Sequence, residues 1–110
     1  MNIQIFGKSK CFDTKKAERY FKERRVKFQS VDLLRYGMSR GEFTSVKASV
    51  GLAAMIDEKA RDAELLRYLA HDADREEKLF ENPRFLQTPI VRNGKKATVG
   101  YRPEVWAEWE

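Results

Sequence analysis

Cysteine is almost missing from this chain: Cys11 is the one thiol among 110 residues. That count excludes an internal disulfide framework and fits a reducing compartment, with the cytoplasm as the expected location. Histidine is equally scarce. His71 stands in a polar stretch with no cysteine at metal-binding spacing, so no metal site is expected. There are three prolines and six glycines, none gathered into a linker, and Gly7, Gly37 and Gly41 do not form a phosphate-binding loop. No apolar run approaches the roughly 20 residues that cross a bilayer. The N-terminus shows no basic segment followed by a long apolar stretch, so neither a membrane partner nor a secretion signal is expected. No carboxylate pair stands out for acid–base chemistry; Asp57, Glu58 and Asp62 read as helix-start charges.

What is present suits one globular α/β domain over residues 1–110, with 42% hydrophobic and 35% charged residues. The net charge of +5 gives a general attraction to oxyanions and nucleic acid without predicting a specific nucleic-acid site. Basic residues concentrate between Lys15 and Arg25. Within that segment Ala17, Tyr20 and Phe21 fall at i, i+3 and i+4, so it reads as a helix with one buried stripe and a solvated charged face.

Residues 2–6 begin the chain as a strand, Gly7 to Lys10 form a loop, and a helix is predicted from Phe12 to Arg25. Period-two alternation over Val26 to Leu33 predicts a second strand, with Val26, Phe28 and Ser30 on one face. Strand, helix and strand with tight connections make a βαβ unit with parallel strands. The middle is helical: Ser39 and Glu42 form a capping-box pattern ahead of Phe43, Val46 and Val50. Asp57 is placed to cap a helix buried through Leu65, Leu66 and Leu69, and Asp74 with Glu77 offers another box. Two strands then flank Asn93-Gly94, a strong hairpin signal. Pro103 suits the first turn of a final helix, with Val105, Trp106 and Trp109 inward. Those tryptophans at a spacing of three read as core ahead of a base-stacking surface.

Cys11 follows the first strand and opens the basic helix. Unpaired backbone N–H groups and the helix dipole favour an anion there, and a thiolate is the reactive form of sulfur. Lys8, Lys10, Lys15 and Lys16 would add to that preference, whereas Asp13 would oppose it. A modestly depressed thiol pKa is the expectation.

The two halves, the N-terminal thiol and the Thr88-Pro89 dipeptide before a strand together resemble a thioredoxin-like fold (βαβ…ββα) with a helical insertion over about residues 39–82. More narrowly, Ile3-Gln4-Ile5-Phe6, Cys11, Lys15-Lys16-Ala17, Phe28 to Leu33, Gln87 to Val91 and Val99 to Val105 resemble the arsenate reductase (ArsC)/Spx family. The likeness implies that Cys11 attacks arsenate or a disulfide sulfur, that Pro89 is a cis-proline facing it, and that Arg102 is an oxyanion-binding arginine. Lys8, Thr14 and Thr88 join them as substrate-site candidates. Thr88 stands where arsenate reductases carry a second arginine, and a third is not found in register; Arg61, Arg84 and Arg92 are nearby in sequence. Arg102 can equally be read as a surface residue at a helix start.

Thr14 takes the place of the second cysteine of a Cys-x-x-Cys pair, so the chemistry implied is monothiol. Its hydroxyl either donates to the sulfur or serves the first helical turn. With no bound cofactor expected, glutathione or a glutaredoxin-type protein would be the external thiol. Two other readings stand beside this oxidoreductase: a Spx-like regulator that binds RNA polymerase, and a thioredoxin-like domain without catalysis.

Overall fold

A computed structural model describes residues 1–109. The first strand, β1 (Ile3–Gly7), sends Ile3 and Ile5 to one face of a sheet and Phe6 to the other, all three fully buried. The helix α1 (Phe12–Glu23) lays Ala17, Tyr20 and Phe21 onto the Ile3/Ile5 face. It stops short of the expected Arg25, whose left-handed φ of 59° turns the chain into β2 (Phe28–Asp32). Val26 and Phe28 pack beneath α1 as expected, but Ser30 is exposed and its hydroxyl donates to Glu18 at 2.6 Å.

β1 pairs in parallel with β2 and antiparallel with β3 (Ile90–Asn93), which pairs antiparallel with β4 (Lys96–Val99). The strand order is therefore β2-β1-β3-β4. The hairpin turns one residue later than Asn93-Gly94 suggests. Asn93 closes the ladder opposite Lys96, and Gly94 takes the first central position with φ 60°, as a type II′ turn requires.

The α2 turn (Leu33–Tyr36), α3 (Arg40–Val50), α4 (Asp72–Glu81) and α5 (Pro103–Trp109) complete the chain. Helix α5 packs beside α1, where Trp106 is wholly buried and its indole N–H donates to Thr98 Oγ1 at 2.8 Å. Trp109 is partly buried against the same cluster, so these tryptophans are core. The opposite face of the sheet, through Phe6 and Ile90, meets the insertion, whose Phe43, Val46, Met55, Leu66 and Leu79 form a second core.

Both arms of the Ser39–Glu42 capping box form, at 3.1 and 2.9 Å. The helix expected after Asp57 does not. Asp57 instead accepts from the Lys59 N–H in a local turn, Asp62 adopts a left-handed φ of 66°, and Ala63–Tyr68 winds as a 3₁₀ helix. Three residues per turn keep Leu66 and Leu69 on the core and turn Leu65 outward. The second expected box is also displaced: α4 starts at Asp72 with His71 at its N-cap, and the His71 carbonyl accepts from the Asp74 and Arg75 N–H groups.

Candidate active site

Cys11 is the N-cap of α1, with extended backbone (φ −90°, ψ 115°) and a side chain that caps nothing. A turn closed by its own N–H to the Lys8 carbonyl at 3.0 Å carries the chain from β1 into the helix. The sulfur is partly exposed and its S–H donates to the Thr88 carbonyl at 3.6 Å. That carbonyl belongs to the Thr88–Pro89 peptide, which is cis, as the resemblance implies. Thr88 is nearly buried, and the Pro89 carbonyl accepts the Gly100 N–H at 2.8 Å, tying this segment to the end of β4.

Burial raises the Cys11 pKa. Donors gathered at the helix start, the hydroxyls of Thr14 and Thr88 and the backbone N–H groups of Thr14 and Asp13, favour the thiolate and lower it by more, so the net shift is downward. The expected direction holds, with the helix-start N–H groups among its causes as expected; of the lysines, Lys8 interacts with the charge of the sulfur. Lys8 donates to the carbonyls of Arg84 and Leu86 at 2.9 and 2.8 Å, which pins the β1–α1 loop to the chain just before Thr88. Desolvation lowers its own pKa, opposed by the charges of Asp57 and Cys11. Lys15 lies over the Phe12 ring and Lys16 over the Tyr101 ring. Asp13 sits 3.9 Å from Lys16.

A broad groove of about 1130 Å³ opens over the sulfur, walled on one side by Ala53, Ala54 and Ile56 and on the other by Tyr101 and Arg102. Its charged lining is close to balanced: Lys8, Lys10, Lys59 and Arg102 against Asp13, Asp57 and Glu58. Arg102 is well exposed, with its Nε 3.4 Å from the Val99 carbonyl and a terminal nitrogen 4.0 Å from Glu104. None of the other three arginines joins it. Arg84 stacks on Phe85 and donates to the Arg61 carbonyl at 2.8 Å, and Arg92 donates to Gln4 Oε1 at 2.7 Å. Arg61 is not part of the groove lining.

The groove also holds groups that sequence reasoning passed over. Phe12 is 78% exposed directly after the thiol, and Tyr101 is 41% exposed across from it. Phe12 had a signal, because it is apolar yet off the Ala17/Tyr20/Phe21 stripe. Asp57, read as a helix cap, lies instead where its charge acts on Lys8.

The ArsC family model matches residues 6–109. The global transcriptional regulator Spx 2 of Oceanobacillus iheyensis is 23% identical over 128 aligned residues, covering 100% of this chain and 94% of that protein. Among solved structures, an arsenate reductase from Vibrio cholerae superposes with a TM-score of 0.81 at 21% identity, over 98% of this chain and 97% of that one. The glutaredoxin-like protein NrdH-redoxin from Escherichia coli gives 0.53 at 17% identity, over 100% and 96%. These likenesses agree with the thioredoxin-like sheet. The chain belongs to the ArsC family.

Proposed function

We propose that the protein is a monothiol oxidoreductase that exchanges disulfides with glutathione or with a glutathione-linked protein. The observation that carries this is the partly exposed Cys11 sulfur at a helix start, with its pKa lowered by converging donors, on the floor of an open groove. The Cys11 thiolate attacks one sulfur of a disulfide, forming a mixed disulfide and expelling the other sulfur as a thiolate. An external thiolate, from glutathione or a glutaredoxin-type partner, then attacks that mixed disulfide and releases Cys11 as thiolate again. Thr14 cannot close an internal disulfide, so the second step requires the outside thiol.

Arsenate is the less favoured substrate. A tetrahedral oxyanion is well held by several guanidinium forks, and here Arg102 is the one arginine in the groove lining, its charge set against nearby Glu104. A disulfide substrate places no such demand, and the apolar walls of Phe12, Tyr101 and Ile56 suit a peptide-like thiol.

Mass spectrometry after incubation with oxidised glutathione tests the proposal. A stoichiometric glutathione adduct, lost in Cys11→Ser and removed by added thiol, is expected. A clean unmodified mass defeats it and returns the domain without catalysis. The full-length likeness to a transcriptional regulator supports a second reading, binding to RNA polymerase. Co-purification with polymerase subunits that survives Cys11→Ser would favour that reading.

A further inference from the structure

Resting on the reading of Cys11 as the nucleophile, we propose that Gly7 is a positioning residue for it. By carrying no side chain, the last residue of β1 lets Thr14 close onto the strand and keeps its buried hydroxyl in the first turn of the helix that Cys11 caps. The geometry is tight. A Cβ built on Gly7 would stand 2.2 Å from Thr14 Cγ2, 2.8 Å from its Oγ1 and 3.0 Å from its Cβ. The first two contacts are too close to persist, so a methyl group at position 7 drives Thr14 Cγ2 and Oγ1 from their places, whereas a shift of a few tenths of an ångström relieves the third. Gly7 has no left-handed φ to accommodate. Its requirement is for space alone.

What that space serves follows from the state of Thr14. The residue is 6% exposed, and Oγ1 is sealed from solvent with no hydrogen-bond partner at full geometry among the described residues. An orphaned buried hydroxyl costs stability, so a purely structural position would be better filled by valine. The hydroxyl does have one use: it favours the ionised sulfur of Cys11, three residues earlier on the same helical turn. Ionisation supplies the strong acceptor that the neutral thiol does not. Gly7 is also paired with Asp32 in the parallel ladder, so the strand cannot simply recede from the helix. The charged groups that share the groove with the sulfur are Lys8, Lys10, Asp13, Asp57, Glu58, Lys59 and Arg102, and a change at position 7 or 14 removes none of them.

The test is the pH profile of iodoacetamide alkylation at Cys11 in wild type, Gly7→Ala, Thr14→Ala and the double variant. Removing a hydrogen bond to a charged group slows the neutral-pH rate by about tenfold, in Gly7→Ala as in Thr14→Ala. In the Thr14→Ala background the Gly7→Ala change then adds no further slowing, because the group it displaces is gone. A folded Gly7→Ala that reacts like wild type overturns the proposal, as does equal slowing in both backgrounds. Should Gly7→Ala fail to fold, the double variant decides. Recovery of folding on removing the Thr14 side chain supports the proposal, and an unfolded double variant overturns it. A wild-type inflection at or above that of free cysteine instead defeats the nucleophile reading, and leaves the steric pairing of the two residues intact.

Discussion

The two faces of the sheet are held by different means. Beneath α1 and α5, five aromatic rings interlock. Tyr20, Phe21, Phe28, Tyr101 and Trp106 meet in pairs with centroids 5.0 to 6.4 Å apart, and they come from three regions distant in sequence. On the insertion side the core is mostly aliphatic, and between α3 and α4 the chain over it is a series of short turns. There Arg75 stitches the 3₁₀ stretch to α4, donating to the carbonyls of Leu66 and Leu69 at 3.2 and 2.9 Å. The α1 face is closed by interlocking aromatic rings, whereas the insertion is closed by an aliphatic core, with local hydrogen bonds holding the turns between α3 and α4. Cys11 lies at the seam, on a helix from the first face, under a groove wall from the second.

A large deletion on each side separates these modes. Trp106→Ala removes a wholly buried ring and leaves Thr98 Oγ1 without its donor. It should cost about 3–5 kcal/mol, read from urea unfolding, and it should disturb Cys11 reactivity because α1 loses its packing partner. Leu66→Ala, from an equally buried position, should cost about 2–3 kcal/mol and leave the alkylation rate near wild type. Equal disturbance of Cys11 by both would mean that the faces are one cooperative unit, and the comparison would fail.

The same contrast explains what the sequence disclosed. Period-two and period-3.6 patterns mark elements that lie on a flat, continuous core, so β1, α1, β2 and the hairpin could be read from Ile3/Ile5, Ala17/Tyr20/Phe21 and Asn93-Gly94. Residues 57–71 have no such surface to repeat against. Leu65 and Leu66 look alike in sequence, and the left-handed Asp62 decides between them. At the site, the thiol and the proline were legible from their position, and the cis peptide from family likeness. The preference of the helix start for an anion was legible as well, but the places of the nearby lysines were not, since Lys15 and Lys16 lie over aromatic rings. Nor was Gly7, since a contact between a strand end and the first turn of the next helix leaves no periodic trace.

Capping tests the local mode directly. Ser39→Ala removes the hydroxyl arm of the box at the start of α3, leaves the backbone N–H of residue 39 still donating to Glu42, and should cost about 1 kcal/mol, with no change in alkylation. Glu42 shares the loss: burial raises its pKa, while Ser39, Gln4 and the charge of Arg92 bring it below the usual carboxylate range. Without Ser39, the stability that Glu42 contributes above its unfolded pKa, and loses as pH falls through its folded one, should shrink.

The smallest effect belongs to the sulfur itself, and its sign is fixed by linkage. Cys11 has a lower pKa folded than unfolded, the unfolded value lying near the ordinary 9.0. Between those two values the native state carries the thiolate while the unfolded chain still holds its proton, so raising the pH stabilises the fold. The contribution is complete above the unfolded pKa and disappears as pH falls through the folded one. Wild type should therefore gain stability over Cys11→Ser as pH rises from the folded pKa toward 9, with a flat difference below that window. A difference that falls with pH would mean that burial outweighs the helix-start donors at Cys11. The groove would then hold a protonated thiol, and the α1 face would serve packing alone.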